Sequence, residues 1–186
     1  MHVAVDMLEK EGVAGFTTRN VARKANTSPP AVYELFGDKA GLVREVFFQG
    51  FRLLHRYLDT LDESDDPRAD LASLAGIYRT FAHDNPVLVE VMFSRPFADF
   101  DPTPSEVDAG RAVRELVVGH VQRAIDAGVL VGDATDAAHI LLAVTLGLAG
   151  AENASRLGRS RASVDRRWVL GIEAVLAGLG PPAGSD

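Results

Sequence analysis

The sequence predicts an all-α protein, with a three-helix N-terminal head followed by a larger C-terminal helical bundle. Apolar residues recur at helical spacing along nearly the whole chain, and no stretch shows the strict alternation of a half-buried strand. In addition, residues 17–39 combine helix-capping residues, a left-handed stop and a proline-started helix within 23 positions. These features predict two short helices joined by a tight turn, which is the arrangement of a helix-turn-helix unit.

The composition excludes several classes of protein. The 186 residues include no cysteine, which excludes disulfides, thiolate metal sites and thiol catalysis and favours a reducing cytoplasm. Acidic residues interrupt the first apolar stretch, so no signal peptide is expected. The longest uncharged apolar run, Ala137 to Ala151, is shorter than the roughly 20 residues of a membrane span. We therefore expect a cytoplasmic protein without a membrane partner.

The charge is distributed unevenly along the chain. Net charge is −7 overall, but residues 1–56 carry +2 and residues 57–186 carry −9. A mildly basic head on an acidic body can orient a protein toward phosphate groups. The same distribution is equally compatible with an ordinary solvated surface.

Nine helices are predicted. Thr18 is expected to cap the second, Ser28 the third and Asp38 the fourth, while Asn26 and Gly37 are expected to end the second and third. The first predicted helix begins one residue after Met1, so the sequence leaves open whether an N-terminal arm precedes it. Residues 95–105 are predicted to form a proline-rich loop and residues 180–186 a disordered tail. The predicted helices cover residues 2–11, 18–25, 30–36, 38–61, 67–84, 86–94, 105–127, 133–157 and 163–179.

The last two predicted helices favour a homodimer. Residues 137–151 are apolar almost all round, so this helix has to be covered on several sides. A four-helix bundle across a two-fold axis would supply that cover, with the last two helices of each chain. The alternative is a buried central helix within a monomer. The final helix offers one apolar stripe, formed by Val164, Trp168, Ile172, Val175 and Leu179.

The segment TTRNVARKANTSPPAVYELFGDK resembles the helix-turn-helix of the TetR (tetracycline-repressor) family of bacterial transcription regulators. The two departures from the family's pattern are Asn26, where glycine is usual, and Thr27, where valine is usual. Asn26 can adopt the same left-handed backbone conformation. The residues that carry the resemblance are Thr18, Val21, Ala22, Ala25, Ser28, Val32, Tyr33, Phe36, Asp38 and Lys39.

The resemblance implies a DNA-binding domain at residues 1–45, linked by the helix at 38–61 to a ligand-binding and dimerisation domain at residues 46–179. Lys39 and Tyr33 are implied to contact phosphates; the alternatives are an ion pair of Lys39 with Asp38 or Glu34, and a purely structural Tyr33. The expected DNA-binding residues are Thr18, Arg19, Ser28, Pro29, Pro30, Ala31, Tyr33 and Lys39.

Physical arguments assign roles within that set. Thr18 and the helix N-terminus behind it can donate hydrogen bonds to phosphate. Arg19 has the geometry for a bidentate contact with guanine. Pro29 and Pro30 offer apolar rings for thymine methyl groups or sugars, so affinity is expected to come largely from phosphate contacts. The residues expected in the core, away from DNA, are Val21, Ala22, Val32, Leu35 and Phe36.

The body is expected to enclose a small-molecule pocket, as the resemblance implies. Residues 84–97, DNPVLVEVMFSRPF, resemble part of the C-terminal domain in one subgroup of the family. Each candidate lining residue could instead be core. The sequence shows no HxxxH spacing and no catalytic constellation, so no metal, no cofactor and no enzymatic activity are expected. The candidate ligand-binding residues are Tyr78, Phe81, Met92, Phe93 and His120.

Together these features predict a homodimeric transcription regulator, a repressor released from a pseudo-palindromic DNA operator by a small, largely apolar effector. Two alternatives stay open. One is a DNA-binding protein that responds to a protein partner and has no small-molecule effector. The other is a helical ligand-binding or enzymatic domain that does not bind an operator.

Overall fold

A computed structural model describes Met7, residues 17–93, Pro104, Asp108 and residues 110–182. These residues fold into eight α-helices without a strand, which confirms the predicted all-α class. The first predicted helix at residues 2–11, most of the proline-rich loop at 95–105 and the end of the C-terminal tail lie outside the described residues.

The helices follow the predicted order. The helix Pro67–Asp84 has the bounds expected from the sequence, and most of the others agree with the predicted bounds to within a few residues. The start of the helix predicted at 105–127 is not compared, because residues 105–110 lie mainly outside the described part of the chain. The helices are α1 (Thr18–Lys24), α2 (Pro29–Phe36), α3 (Lys39–Leu58), α4 (Pro67–Asp84), α5 (Pro86–Phe93), α6 (Arg111–Asp126), α7 (Ala134–Asn153) and α8 (Arg161–Gly178).

Local hydrogen bonds explain why three helix ends differ from the predicted ones. Helix α3 stops at Leu58, where the Thr60 hydroxyl donates to the Tyr57 carbonyl at 2.7 Å. Helix α7 stops four residues early because Ser155 turns into the left-handed region at φ 56°, and the Arg156 amide donates back to the Ala151 carbonyl. Helix α8 begins two residues early because Ser160, rather than Ser163, caps it.

The chain divides into two compact units. The first comprises residues 1–53 and 85–110, and the second comprises residues 54–84 and 111–186. Because helix α3 runs through the boundary at residues 53 and 54, it contributes to both units. The division into domains at 1–45 and 46–179 stays a prediction.

In the first unit, α1 packs against α2, and α3 supplies a fully buried apolar stripe. Helix α5 belongs to the same unit and approaches α3 at Gly50. A Cβ atom on Gly50 would lie 2.5 Å from the Met92 sulfur, so the glycine makes room for Met92. The buried residues of α3 in this unit are Leu42, Val43, Val46 and Phe47.

In the second unit, α7 is the central helix. It packs against α4, α6 and α8, and it buries Leu141, Thr145 and Ala149 along one side. Of the described helices, α7 alone is long and apolar enough to span a membrane, judged by length and composition. Its packing within the helical bundle is that of a core helix with one uncovered side.

Helix α8 also has exposed apolar residues. The stripe predicted on α8 lies partly inside the protomer, because Trp168 and Ile172 are buried within the second unit. Val169 and Leu170 of the same helix are exposed instead. These two residues and Ile140 of α7 are each more than half exposed. We refer to Ile140, Val169 and Leu170 as the exposed apolar residues.

A part-buried polar cluster joins three helices of the second unit. Arg79 of α4 donates to both carboxylate oxygens of Glu152 on α7, at 2.7 and 2.8 Å, and to Asp165 of α8 at 2.7 Å. The Trp168 indole donates to Glu152, and the Arg79 guanidinium lies 5.2 Å from the Trp168 ring centroid. The hydrogen bonds from Arg79 lower the pKa of the Glu152 carboxyl group and the pKa of the Asp165 carboxyl group. Both groups are therefore charged at neutral pH and balance the positive charge of the guanidinium.

A second polar cluster fixes the loop before α4. Arg123 of α6 donates to the Asp70 carboxylate at 2.6 Å and to the Ser64 carbonyl. The amide and the hydroxyl of Ser64 also donate to Asp70, at 3.0 and 2.7 Å. These bonds, led by the one from Arg123, lower the pKa of Asp70 to about 2.

The Asp70 cluster predicts an acid-dependent loss of stability. Because the folded-state pKa lies below the ordinary value of 3.8, the charged carboxylate stabilises the fold above about pH 4, and this stabilisation is lost as the pH falls toward 2. Asp70→Asn should therefore lower stability at pH 6 and flatten its decline between pH 4 and 2, measured by urea denaturation. Asp126→Asn, at an exposed carboxylate, is the control; an equal flattening in that variant would contradict the assignment to Asp70.

Candidate nucleic-acid interface

The turn between α1 and α2 is built by backbone hydrogen bonds. Asn26 lies in the left-handed region at φ 50°, which confirms the predicted stop. The Asn26 amide donates to the Arg23 carbonyl at 3.3 Å, and the Thr27 amide donates to the Ala22 carbonyl at 2.9 Å. This pair of bonds is a Schellman motif with asparagine in the place that glycine usually takes.

Both helices of the unit begin at a hydroxyl cap. The predicted cap of α1 was wrong by one residue, because Thr17, and not Thr18, accepts from the Asn20 amide at 3.2 Å. Ser28 caps α2 as predicted, by accepting from the Ala31 amide at 3.3 Å.

Helix α2 starts one residue earlier than predicted. Pro29 and Pro30 occupy its first two positions, where neither ring removes an intrahelical hydrogen bond. Proline restricts the preceding residue but does not forbid a helical start, and the cap at Ser28 fixes the entry into the helix. Gly37, at φ 72°, ends α2 as predicted.

One side of the unit is core, and the other is exposed. Val21, Ala22 and Val32 are buried, as predicted. The prediction of a buried Leu35 was wrong, since 75% of this residue is exposed; it lies on the same turn of α2 as Phe36, which takes the inner position. The candidate contact residues Arg19, Ser28, Pro29 and Pro30 are exposed, Tyr33 is 55% exposed, and Ala31 is half-buried.

Thr18 and Lys39 differ from the other candidates. Thr18 is buried, which withdraws its side chain from the exposed surface, and the Asn20 amide of the first turn already donates to the Thr17 hydroxyl. Lys39 is the first residue of α3, and its side chain lies outside the described part of the structure. Asp38 caps that helix as predicted, with its carboxylate accepting from the Gly41 amide at 2.8 Å. The alternative ion pair of Lys39 with Asp38 stays untested.

The exposed surface of α1 is basic. Arg19, Arg23 and Lys24 are all exposed, and no carboxylate pairs with Arg19 among the described residues. Arg23 donates to the Asn20 side-chain oxygen at 3.3 Å. Because asparagine is uncharged, this bond does not neutralise the positive charge of Arg23. Arg23 and Lys24 were not among the predicted contact residues, although the adjacent pair in the sequence is a signal for phosphate binding. The unit thus carries exposed positive charge beside an exposed, proline-started helix.

The candidate ligand-binding residues fall into both compact units. Tyr78, Phe81 and His120 belong to the second unit, and Met92 and Phe93 belong to the first. Phe81 is fully buried with its ring 5.5 Å from that of Tyr57 and 6.1 Å from that of Tyr78. Burial raises the pKa of the Tyr78 hydroxyl well above its ordinary value. In this structure Tyr78 and Phe81 contribute to the packed core.

His120 and Phe93 are the less buried members of that set. The His120 side chain is mostly buried, and its Nδ1 lies 3.8 Å from a carboxylate oxygen of Glu63. Phe93 is partly exposed, and its ring packs edge-on against Phe51 at 5.7 Å. Met92 is buried against Gly50.

Comparison with known proteins gives a match to each part of the chain. Residues 1–46 match the model of bacterial regulatory proteins of the tetR family. Residues 71–175, more than half of the chain, match the model of the tetracyclin repressor-like C-terminal domain. No curated protein matches the chain at a significant level.

Solved structures share the fold of this chain. A protein of unknown function from Rhodococcus sp. RHA1 is 30% identical, with a TM-score of 0.82 over 96% of this chain and 92% of that chain. A tetR-family regulatory protein from Rhodococcus RHA1 is 20% identical, with a TM-score of 0.71 over 96% and 94%. The fatty acid degradation regulator FadR from Bacillus halodurans is 12% identical, with a TM-score of 0.76 over 96% and 93%. The chain belongs to the TetR family of bacterial transcription regulators.

Proposed function

We propose that this protein is a cytoplasmic homodimeric repressor, released from a pseudo-palindromic operator by a small, largely apolar effector. The observation that carries the proposal is the helix-turn-helix unit, in which a Schellman turn and the Ser28 cap present α2 with an exposed outer surface. Helix α2 would lie in the major groove. Exposed Arg19, Arg23 and Lys24 of α1 would lie near the phosphate backbone.

The exposed apolar residues support the homodimer. They lie on α7 and α8, and α7 is apolar along most of its length with one side uncovered by the protomer. A two-fold axis beside α7 and α8 would cover these helices with an identical copy. Two heads would then contact half-sites about 34–36 Å apart, or a multiple of that distance.

An apolar effector would act by preferring one arrangement of the two heads. The first unit offers apolar side chains of the kind that such ligands contact, including Phe51, Met92 and Phe93. A ligand shifts the equilibrium only by the difference between its affinities for the two arrangements. The proposal therefore requires that saturating effector changes operator affinity; an effector that binds without this change would contradict the release mechanism.

Operator binding is tested with Tyr33→Ala and Lys39→Ala. Each variant should weaken binding to the DNA upstream of the protein's own gene. If Lys39 contacts one phosphate per protomer, Lys39→Ala should also lower the slope of log affinity against log salt by about 2 per dimer, whereas Tyr33→Ala removes no charge and should leave the slope nearly unchanged. Fluorescence anisotropy of labelled DNA between 50 and 200 mM salt, the range over which such contacts show about 10³-fold effects or more, gives both quantities.

Arg114→Gln is the matched control, because this arginine is exposed on α6 of the second unit. It should leave the salt slope unchanged. If the unsubstituted protein binds its upstream DNA no better than unrelated DNA, the alternative of a helical ligand-binding or enzymatic domain is favoured over the repressor.

A further inference from the structure

The turn between α7 and α8 borders an open surface cleft whose lining is basic. The cleft has a volume of about 520 Å³, and its arginines are exposed. Three of its lining residues are arginines, and two others carry hydroxyl groups. The lining residues are Arg156, Leu157, Gly158, Arg159, Ser160, Ser163 and Arg167.

The positive charge of this cleft is local. Residues 156–167 contain five arginines and one acidic residue, whereas residues 57–186 as a whole carry a net charge of −9. The single acidic residue, Asp165, already accepts from Arg79 and lies 3.1 Å from Arg161. Among the described residues, no carboxylate pairs with the three arginines of the cleft. Their mutual repulsion is therefore not offset within the second unit.

Arg167 is held in place by neutral partners. Its Nη1 donates to the Leu157 carbonyl and to the Ser163 hydroxyl, each at 2.6 Å. These two bonds use one nitrogen of the guanidinium and leave Nε and Nη2 as donors that can face the cleft. Because its partners are uncharged, Arg167 is positioned without being neutralised.

Gly158 makes that position accessible. A Cβ atom at residue 158 would lie 2.5 Å from Arg167 Nη1 and 2.9 Å from the Ser163 hydroxyl oxygen. An alanine here would therefore push the guanidinium away from its two partners without changing any charge. The glycine and the arginine together form a preorganised corner of the cleft.

We propose that this cleft binds a phosphate group, either free or carried by a small molecule. A phosphate monoester carries about −1.5 to −2 charges at pH 7 and three strong acceptor oxygens. Guanidinium groups bind such oxygens through paired N–H donors, and the hydroxyls of Ser160 and Ser163 can supply further donors. A monovalent carboxylate or chloride would neutralise less of the positive charge and use fewer of the donors.

The test measures binding to the full-length protein by isothermal titration calorimetry with inorganic phosphate and with phenyl phosphate. Sodium chloride and sodium benzoate at matched ionic strength are the comparison anions. We expect saturable binding of at least one phosphate probe and none of benzoate or chloride. Tighter binding of phenyl phosphate would identify a phosphate on an organic carrier, and equal or tighter binding of inorganic phosphate would identify the free ion.

Variants separate a built site from general electrostatics. Arg159→Gln and Arg167→Gln should each weaken phosphate binding about tenfold, the effect of losing one charge-assisted hydrogen bond. Gly158→Ala should weaken it as well, although it keeps every charge. Arg166→Gln is the matched control, because Arg166 is exposed on α8 and does not line the cleft. Circular dichroism of each variant confirms that it is folded.

Three results would overturn the proposal. Neither phosphate probe binds; chloride or benzoate at equal ionic strength binds as well as phosphate; or Arg166→Gln loses as much affinity as Arg167→Gln. If neither phosphate probe binds but Arg159→Gln and Arg167→Gln weaken operator binding, the cleft contacts DNA and the proposal of a small-anion site is wrong. The calorimetry uses no DNA, so its outcome does not depend on the repressor function proposed above.

Discussion

Replacing Arg79 with alanine is expected to lower the free energy of unfolding by about 2 kcal/mol, between the effects of breaking an exposed ion pair and a fully buried one. The guanidinium forms both hydrogen bonds of a bidentate pair with Glu152, and the two side chains are 18% and 14% exposed. Removing Arg79 leaves the part-buried Glu152 carboxylate with the Trp168 indole as its remaining partner among the described residues. In a chain of this length the melting temperature should fall by about 4–8 °C.

Arg68→Ala is the matched control for this prediction. Arg68 also lies on α4 and pairs with Glu173 of α8 at 2.6 Å, but the two side chains are 35% and 49% exposed. An exposed pair of this kind contributes about 0–1 kcal/mol. Urea denaturation followed by circular dichroism measures both variants. Equal losses for Arg68→Ala and Arg79→Ala would show that burial of the Arg79 cluster does not determine its effect.

Replacing Leu170 with aspartate is expected to convert the proposed dimer into monomers. Leu170 is one of the exposed apolar residues of α8, so a charge there costs little in the isolated protomer. In a two-fold interface the same change would bury two carboxylates without partners, one from each chain. Operator affinity should then fall by at least about 100-fold, because one head binds without the effective concentration provided by the second.

Light scattering after size exclusion measures the first part of this prediction. The unsubstituted protein should have about twice the chain mass of 19.9 kDa, and Leu170→Asp should have the mass of one chain. Leu35→Asp is the control for oligomeric state, because Leu35 is an exposed leucine in the other compact unit. A dimeric Leu170→Asp variant would place the interface elsewhere on the protomer.

The order of the helices and the chemistry of the turn could be predicted from the sequence because both depend on local rules. Asn26 takes the left-handed conformation and Ser28 caps the next helix for reasons that lie within four residues of each. The cap at Thr17 was missed by one position, since two adjacent threonines satisfy the same composition rule. Leu35 was assigned to the core because a leucine in a short amphipathic helix usually faces inward.

The polar clusters could not be predicted, because their members are far apart in the sequence. Arg79 and Glu152 are separated by 73 residues, and Arg123 and Asp70 by 53. Helical periodicity places each of them on a face but does not show which face of another helix lies opposite. The basic cleft could be predicted only in part, because the close approach of Gly158 to Arg167 requires the turn before α8 to fold back on that helix.

Helix α2 buries only one of its eight residues, Val32. Its start is fixed by Ser28 and the angle at which it leaves α1 is fixed by bonds between backbone groups, so the identities of the outward residues contribute little to folding. Natural variation can therefore exchange these side chains and change the DNA sequence that is recognised while the protein stays folded. In such a protein, a new operator preference and a stable fold can evolve independently.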